Sequence, residues 1–184
     1  MQSLKGHLLI ASPSLEGSFF ARTVILMLDH DEEGAAGVVL NRPTEATVSD
    51  VAESIFSAPF DWDKPLNLGG PVDGPLMVIH RMEDLADQEI LDGVFNSVEV
   101  GKVREVVEAR AEPSLIVVNY SGWGPGQLEG EFGVDSWLTL PATAEHVFWD
   151  EARDLWEVVV KGVNARKLSE FLGIKEVPPD PNFN

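Results

Sequence analysis

Cysteine is absent from this 184-residue chain. That absence removes disulfides, thiolate nucleophiles, iron–sulfur ligation and every zinc site built on cysteine. Positive charge is scarce. Against 31 Asp and Glu stand 13 Lys and Arg, a formal net charge of −18. Such a surface repels nucleic-acid phosphates and disfavours direct nucleic-acid binding. Long hydrophobic runs are missing too, so no stretch approaches the roughly 20 apolar residues of a membrane helix. The start, Met1-Gln-Ser-Leu-Lys-Gly6, lacks the basic, apolar and small-residue blocks of an export signal. The expectation is a cytoplasmic protein with no membrane contact.

Catalytic and metal-binding patterns are equally sparse. The four histidines, His7, His30, His80 and His146, fall in no H-x-x-x-H or H-E-x-x-H arrangement. The run Asp29-His30-Asp31-Glu32-Glu33 is rich in donors, but successive strand residues point to opposite faces and separate His30 from Asp29 and Asp31. No metal site and no cofactor is expected. Gly-x-Ser-x-Gly does not occur, and Ser121, which follows Tyr120, is only loosely elbow-like, so no catalytic residue is assigned. Nor is there a Walker or G-x-G-x-x-G pattern. Leu68-Gly-Gly-Pro-Val72 therefore reads as a tight turn between strands, with a backbone nest for an anion as the alternative.

What is present is the composition of a folded domain, with 44% hydrophobic residues. One domain is expected over residues 1–176, followed by a mobile Pro-rich tail at 177–184. Strands are expected at His7 to Ala11, Thr23 to Asp29, Gly37 to Asn41, Leu76 to His80, Val94 to Val98 and Leu115 to Val118. The second and third should pair as a hairpin across Asp31-Glu-Glu-Gly34. Thr47 should cap a helix carrying Val48, Val51, Ala52 and Ile55, closed by Ala58-Pro59, and Val103, Val106 and Val107 should form the buried stripe of another. The stretch Met82 to Asp92 is acidic and weakly patterned, and Leu138 to Pro141 is extended. Thr143 caps a short turn. Asp150 should cap a helix that Gly162 closes, before a last helix from Ala165 to Leu172. Strands and helices mix without strict alternation. The fold class is therefore α+β, a single domain with a mixed, coiled β-sheet flanked by helices.

The most informative stretch is Ser114-Leu-Ile-Val-Val-Asn-Tyr-Ser-Gly-Trp-Gly-Pro-Gly-Gln-Leu-Glu-Gly-Glu-Phe132, a central-type strand running through a glycine-rich turn into a short polar helix. Proline at a first helical position would start that helix at Pro125, with Leu128 and Phe132 on one face and Gln127 and Glu131 on another. Trp123 and Trp137 bracket it, as clamps to the core or as an aromatic wall for a ligand. Arg42, in Asn41-Arg42-Pro43, is expected to pair internally with Glu129 or Glu131, with binding of a carboxylate or phosphate ligand as the alternative.

These segments resemble the AlgH/YqgE family of bacterial proteins. The resemblance runs from Gly6 to about Pro141. It rests on Gly6-His-Leu-Leu-Ile-Ala-Ser-Pro13 with Phe19 and Thr23-Val-Ile; on His30 with Gly34-Ala-Ala-Gly-Val-Val-Leu-Asn-Arg-Pro43; on Leu68-Gly-Gly-Pro-Val72; and on Gly122-Trp123 with Gln127-Leu-Glu129, Glu131 and Trp137-Leu138. It implies a single α+β domain of unestablished activity, in a family often labelled as transcriptional regulators. The chain departs from the family pattern at Asn119 and Ser121, where glycine and alanine are usual around the tyrosine, and at Gly17, where an acid is frequent.

Two functions follow as expectations. The first is a non-enzymatic binding or regulatory protein that meets an unknown protein or small anionic ligand, with Asn41, Arg42, Gly69, Gly70, Ser121, Trp123, Gln127 and Glu131 as ligand-binding candidates. The second is a hydrolase-like or acid–base enzyme using Glu129 or Glu131 with His30 or Arg42.

Overall fold

A computed structural model describes residues 3–57, 60–149 and 154–172, with side chains as far as 166. Its α+β strands divide between two sheets. The first has the order β10-β3-β2-β1-β11, built from β1 (His7–Ala11), β2 (Val24–Asp31), β3 (Gly34–Val39), β10 (Ser121–Trp123) and β11 (Trp137–Pro141). All its pairings are antiparallel. The second has the order β4-β5-β9-β6-β8-β7. Its strands are β4 (Pro43–Thr47), β5 (Pro65–Leu68), β6 (Met77–His80), β7 (Gln88–Leu91), β8 (Val94–Ser97) and β9 (Leu115–Val118). Mixed pairing is confined to this sheet, where β5 and β9 run parallel. The expected hairpin forms, with β2 and β3 antiparallel and a register shift between Met27 and Asp29.

Strand alternation explains how the sheets stack. Leu8 and Ile10 of β1, with Leu26 of β2 and Val38 of β3, face inward onto Met77, Ile79 and Val117 of the second sheet. Their neighbours Leu9, Ala11, Ile25, Met27 and Val39 face the other way, onto Trp123, Leu128 and Trp137. A period of two thus gives the first sheet two apolar faces. The outer face of the second sheet, through Leu66, Val78 and Ile116, takes α1 (Val48–Phe56) and α2 (Val100–Glu108).

The helix signals act as the sequence suggests in two cases and differ in two. Thr47 and Asp50 form a reciprocal capping box on α1, and Ser57 closes that helix in the left-handed conformation. The expected closing pair Ala58-Pro59 lies outside the described residues. Thr143 caps the short α4 (Ala144–Val147). The helix after the glycine turn is α3 (Gln127–Phe132), beginning two residues later than Pro125 because Gly126 takes a left-handed φ of 71°. A left-handed residue cannot continue a right-handed helix.

Gly162 does not divide the last helix. One continuous α5 (Leu155–Leu172) runs through it, because Leu155, Val159 and Val163 at successive i+4 positions are all buried against the inter-sheet core. Each such burial is worth about 1.5–3 kcal/mol, which outweighs the ~1 kcal/mol that glycine costs inside a helix. Asp150, the expected cap, and the tail at 177–184 lie outside the described residues. Four short strands were not foreseen, and two of them, β4 and β5, begin at a proline. In β7 only Ile90 is buried, and β10 is three residues long.

Candidate functional site

Five of the eight candidate residues form the seam between the sheets. Asn41 follows β3; its Oδ1 accepts the Val24 N–H at 2.9 Å and its Nδ2 donates to the Arg22 carbonyl oxygen at 2.9 Å. Arg42 donates its backbone N–H to Asn67 Oδ1, and Asn67 Nδ2 in turn donates to the Val39 carbonyl oxygen. The Gly69 carbonyl oxygen accepts the Val39 N–H at 2.9 Å and the Ser121 hydroxyl at 3.1 Å. Gly70 lies so close to the β9–β10 connection that a Cβ there would stand 2.2 Å from the Tyr120 carbonyl group. Gly69 and Gly70 are thus required by close backbone approach, and neither has a positive φ.

The Arg42 guanidinium does not pair with Glu129 or Glu131. Its Nη2 donates to the carbonyl oxygens of Phe19 at 2.8 Å and Ala21 at 3.1 Å, and its plane lies over the Phe19 ring with a centroid distance of 5.3 Å. Backbone carbonyls satisfy a fork of N–H donors without any carboxylate. Asn119 and Ser121 also belong to this seam. Asn119 has φ of 63°, in the left-handed region that favours glycine but that Asn tolerates, and its Oδ1 accepts the Gly74 N–H. Ser121 adds its hydroxyl bond to Gly69.

The other three candidates lie on the outer face of the first sheet, around α3. Glu131 Oε2 accepts both indole N–H groups, from Trp123 at 3.0 Å and Trp137 at 2.6 Å, while Oε1 accepts from Gln127 Nε2 at 3.1 Å. Gln127 Oε1 takes the Gly124 N–H. Trp123 and Trp137 are 6% and 4% exposed, so they clamp α3 to the sheet and do not present an aromatic wall. Of the expected acid–base partners, His30 and Glu129 meet, with His30 Nε2 2.8 Å from Glu129 Oε1. Because His30 Nδ1 accepts the Leu4 N–H, the ring proton sits on Nε2 and is donated to the carboxylate. That hydrogen bond holds the Glu129 carboxyl below the usual carboxylate range. The His30 side chain is only 3% exposed, while the Glu129 side chain is 35% exposed, so the contact runs from a buried ring to a half-exposed carboxylate.

The candidates do not share one concavity. A shallow groove of about 520 Å³ takes in Trp123, with Asp29, Asp31 and Glu33 on its rim. A larger cleft of about 640 Å³ takes in Asn41 and lies where β4, β5 and β9 meet α4 and α5. Leu40, Pro43, Leu66, Leu115, Phe148 and Leu155 supply much of its apolar wall. At its margins Lys64 Nζ meets Glu112 Oε1 at 2.7 Å, and Asp154 meets Arg22 at 2.6 Å. Ser114, also in the lining, is 8% exposed and its Oγ has no hydrogen-bond partner. In the sequence, a serine after Pro113 and before an apolar run reads as a strand start and carries no sign of a binding role. Among the described residues no group of three or more His, Asp or Glu converges on a metal-sized point, and no helix is long and apolar enough to cross a membrane.

These features define a class: an α+β scaffold of two packed sheets, its Asn-Arg-Pro, Gly-Gly-Pro and Ser-Gly-Trp segments spent on joining them. An AlgH-like family model matches residues 8–167. The chain is 37% identical over 185 residues to a UPF0301 protein of Chlorobium limicola, covering 97% of this chain and 95% of the relative. A UPF0301 protein of Shewanella denitrificans is 36% identical over 182 residues, with 94% and 99% covered. Among solved structures, the solution structure of the AlgH protein from Pseudomonas aeruginosa is similar with a TM-score of 0.73 at 30% identity over 96% of both chains. A protein from Corynebacterium diphtheriae gives 0.70 at 25% identity over 85% of both. The chain belongs to the AlgH-like family.

Proposed function

We propose that the protein is a non-enzymatic binding or regulatory protein of the cytoplasm, acting through small-ligand or protein contacts and without direct DNA contact. The cleft beside Asn41 carries this reading. Its volume of about 640 Å³ falls within the range of small-molecule sites, and its lining combines apolar walls with a few polar groups. The net charge of −18 opposes contact with nucleic-acid phosphates. A thermal-shift screen of small metabolites, paired with affinity capture of partners, tests it. Stabilisation by one chemical class is the expected result; neither stabilisation nor a captured partner would overturn the reading.

The acid–base enzyme is the second reading, and the 2.8 Å contact of His30 with Glu129 is what favours it. It has less support. His30 and Glu129 line neither described concavity, Arg42 is spent on carbonyl oxygens, and Glu131 is spent on two indoles.

A further inference from the structure

A buried hydroxyl normally has a partner, because leaving one unpaired costs more than the net value of a hydrogen bond. Ser114 Oγ has none, although the residue is 8% exposed and sits in the lining of the larger of the two concavities described above. Its own backbone is well held. The Ser114 N–H donates to Glu112 Oε2, and Glu112 Oε1 in turn receives Lys64 Nζ. The unmet capacity is therefore confined to the hydroxyl, whose oxygen is itself buried as placed and meets a molecule in the cleft only by turning about its Cα–Cβ bond to another staggered position.

The charges around the cleft say what kind of molecule would meet that hydroxyl. Among the described residues three charged ones appear in the lining, Lys64, Glu112 and Asp154, and each is already matched: Lys64 with Glu112, and Asp154 with Arg22. An incoming anion would have to displace Glu112 from Lys64 while approaching a chain of net charge −18. An incoming cation would have to displace Lys64 or Arg22. Either exchange desolvates a charge for no net gain in pairing. An uncharged ligand faces neither cost, and it gains the apolar walls formed by Leu40, Leu66, Leu115 and Leu155.

We infer that this cleft binds a small uncharged amphipathic molecule, an apolar ring or chain with one hydroxyl or carbonyl, and that Ser114 Oγ is the hydrogen-bonding group that selects it. The inference rests on the binding-protein reading above and adds to it the ligand class and the selecting residue.

The test uses the full chain, with methyl groups of Leu and Val observed by NMR during titration with benzyl alcohol, toluene, benzoate and benzylamine. All four share a ring and differ in the polar group. The expected result is movement of the Leu40, Leu66, Leu115 and Leu155 methyls, with benzyl alcohol the tightest binder. Ser114→Ala should weaken benzyl alcohol about fivefold, the worth of one neutral hydrogen bond, and leave toluene unchanged. Unchanged toluene binding also shows that the variant keeps a folded cleft. If benzyl alcohol and toluene bind equally, or Ser114→Ala affects neither, the assignment of Ser114 is overturned while the cleft remains a binding site. If benzoate or benzylamine binds tightest, the uncharged class is overturned. If no probe moves these methyls, the binding-protein reading of the cleft falls with it.

Discussion

Ser121 donates its hydroxyl to the Gly69 carbonyl oxygen across 3.1 Å, joining the first strand residue of β10 to the turn that follows β5. The same carbonyl accepts the Val39 N–H, so one oxygen ties both chain crossings, β3 to β4 and β9 to β10, to the second sheet. The Asn-Arg-Pro, Gly-Gly-Pro and Ser-Gly-Trp segments thus hold the two sheets together.

Gly70 should be irreplaceable and Gly162 improvable. Gly70→Ala places a Cβ 2.2 Å from Tyr120 backbone atoms, a clash only backbone movement relieves, and a loss above about 3 kcal/mol is expected in urea unfolding. Gly162→Ala meets nothing within 4 Å inside α5 and should gain about 0.5–1 kcal/mol. Equal effects at the two sites would contradict both the close seam and the continuous helix.

Glu131→Ala leaves two buried indole N–H groups without an acceptor. Each unpaired buried donor costs about 1–3 kcal/mol, so a loss of roughly 2–4 kcal/mol is expected, with a change in near-ultraviolet circular dichroism as the tryptophans loosen. Glu131→Gln keeps one acceptor oxygen and should lose less. A neutral Glu131→Ala would mean that the carboxylate does not clamp α3.

Asp87 gives stability a defined acid limb. Lys102 Nζ at 2.6 Å, with the N–H groups of Glu99 and Val98, lowers its carboxyl from 3.8 to about 2. A depressed folded value means the contribution is complete above pH about 4 and is lost as pH falls towards 2. With the carboxylate 29% exposed, screening reduces the contribution to about 1–2 kcal/mol. Asp87→Asn should cost that amount at pH 7, and the difference from the natural chain should shrink between pH 4 and 2. A difference constant across that range would remove the carboxylate from the account.

Ser114→Ala removes a hydroxyl with no partner and should leave stability unchanged or raise it by up to about 1 kcal/mol in urea unfolding. A loss greater than about 1 kcal/mol would show that Oγ has a protein partner in solution.

Local elements were legible from residue order alone where burial follows a simple period. The strands β1, β2 and β9, the capped α1 and the valine stripe of α2 all answer to alternation, capping or helical spacing. Ile90 shows where that signal fails: as the one buried residue of β7 it leaves no alternation to read. Gly162 shows how a local stop signal loses to Leu155, Val159 and Val163, whose partners come from distant strands. The site was less legible than the fold. Arg42 finds its acceptors on Phe19 and Ala21, backbone atoms that no side-chain pattern marks. The unpaired state of Ser114 exists only after β5, β9 and α5 have come together around it.

The most direct test of where this protein binds is a methyl-resolved NMR screen of the unmodified chain against a mixed library of small molecules. The account expects shift changes to concentrate on Leu40, Leu66, Leu115, Val147 and Leu155 around the cleft. Changes concentrated instead on Leu128 and the tryptophan-clamped face of α3, with the cleft methyls silent, would contradict it.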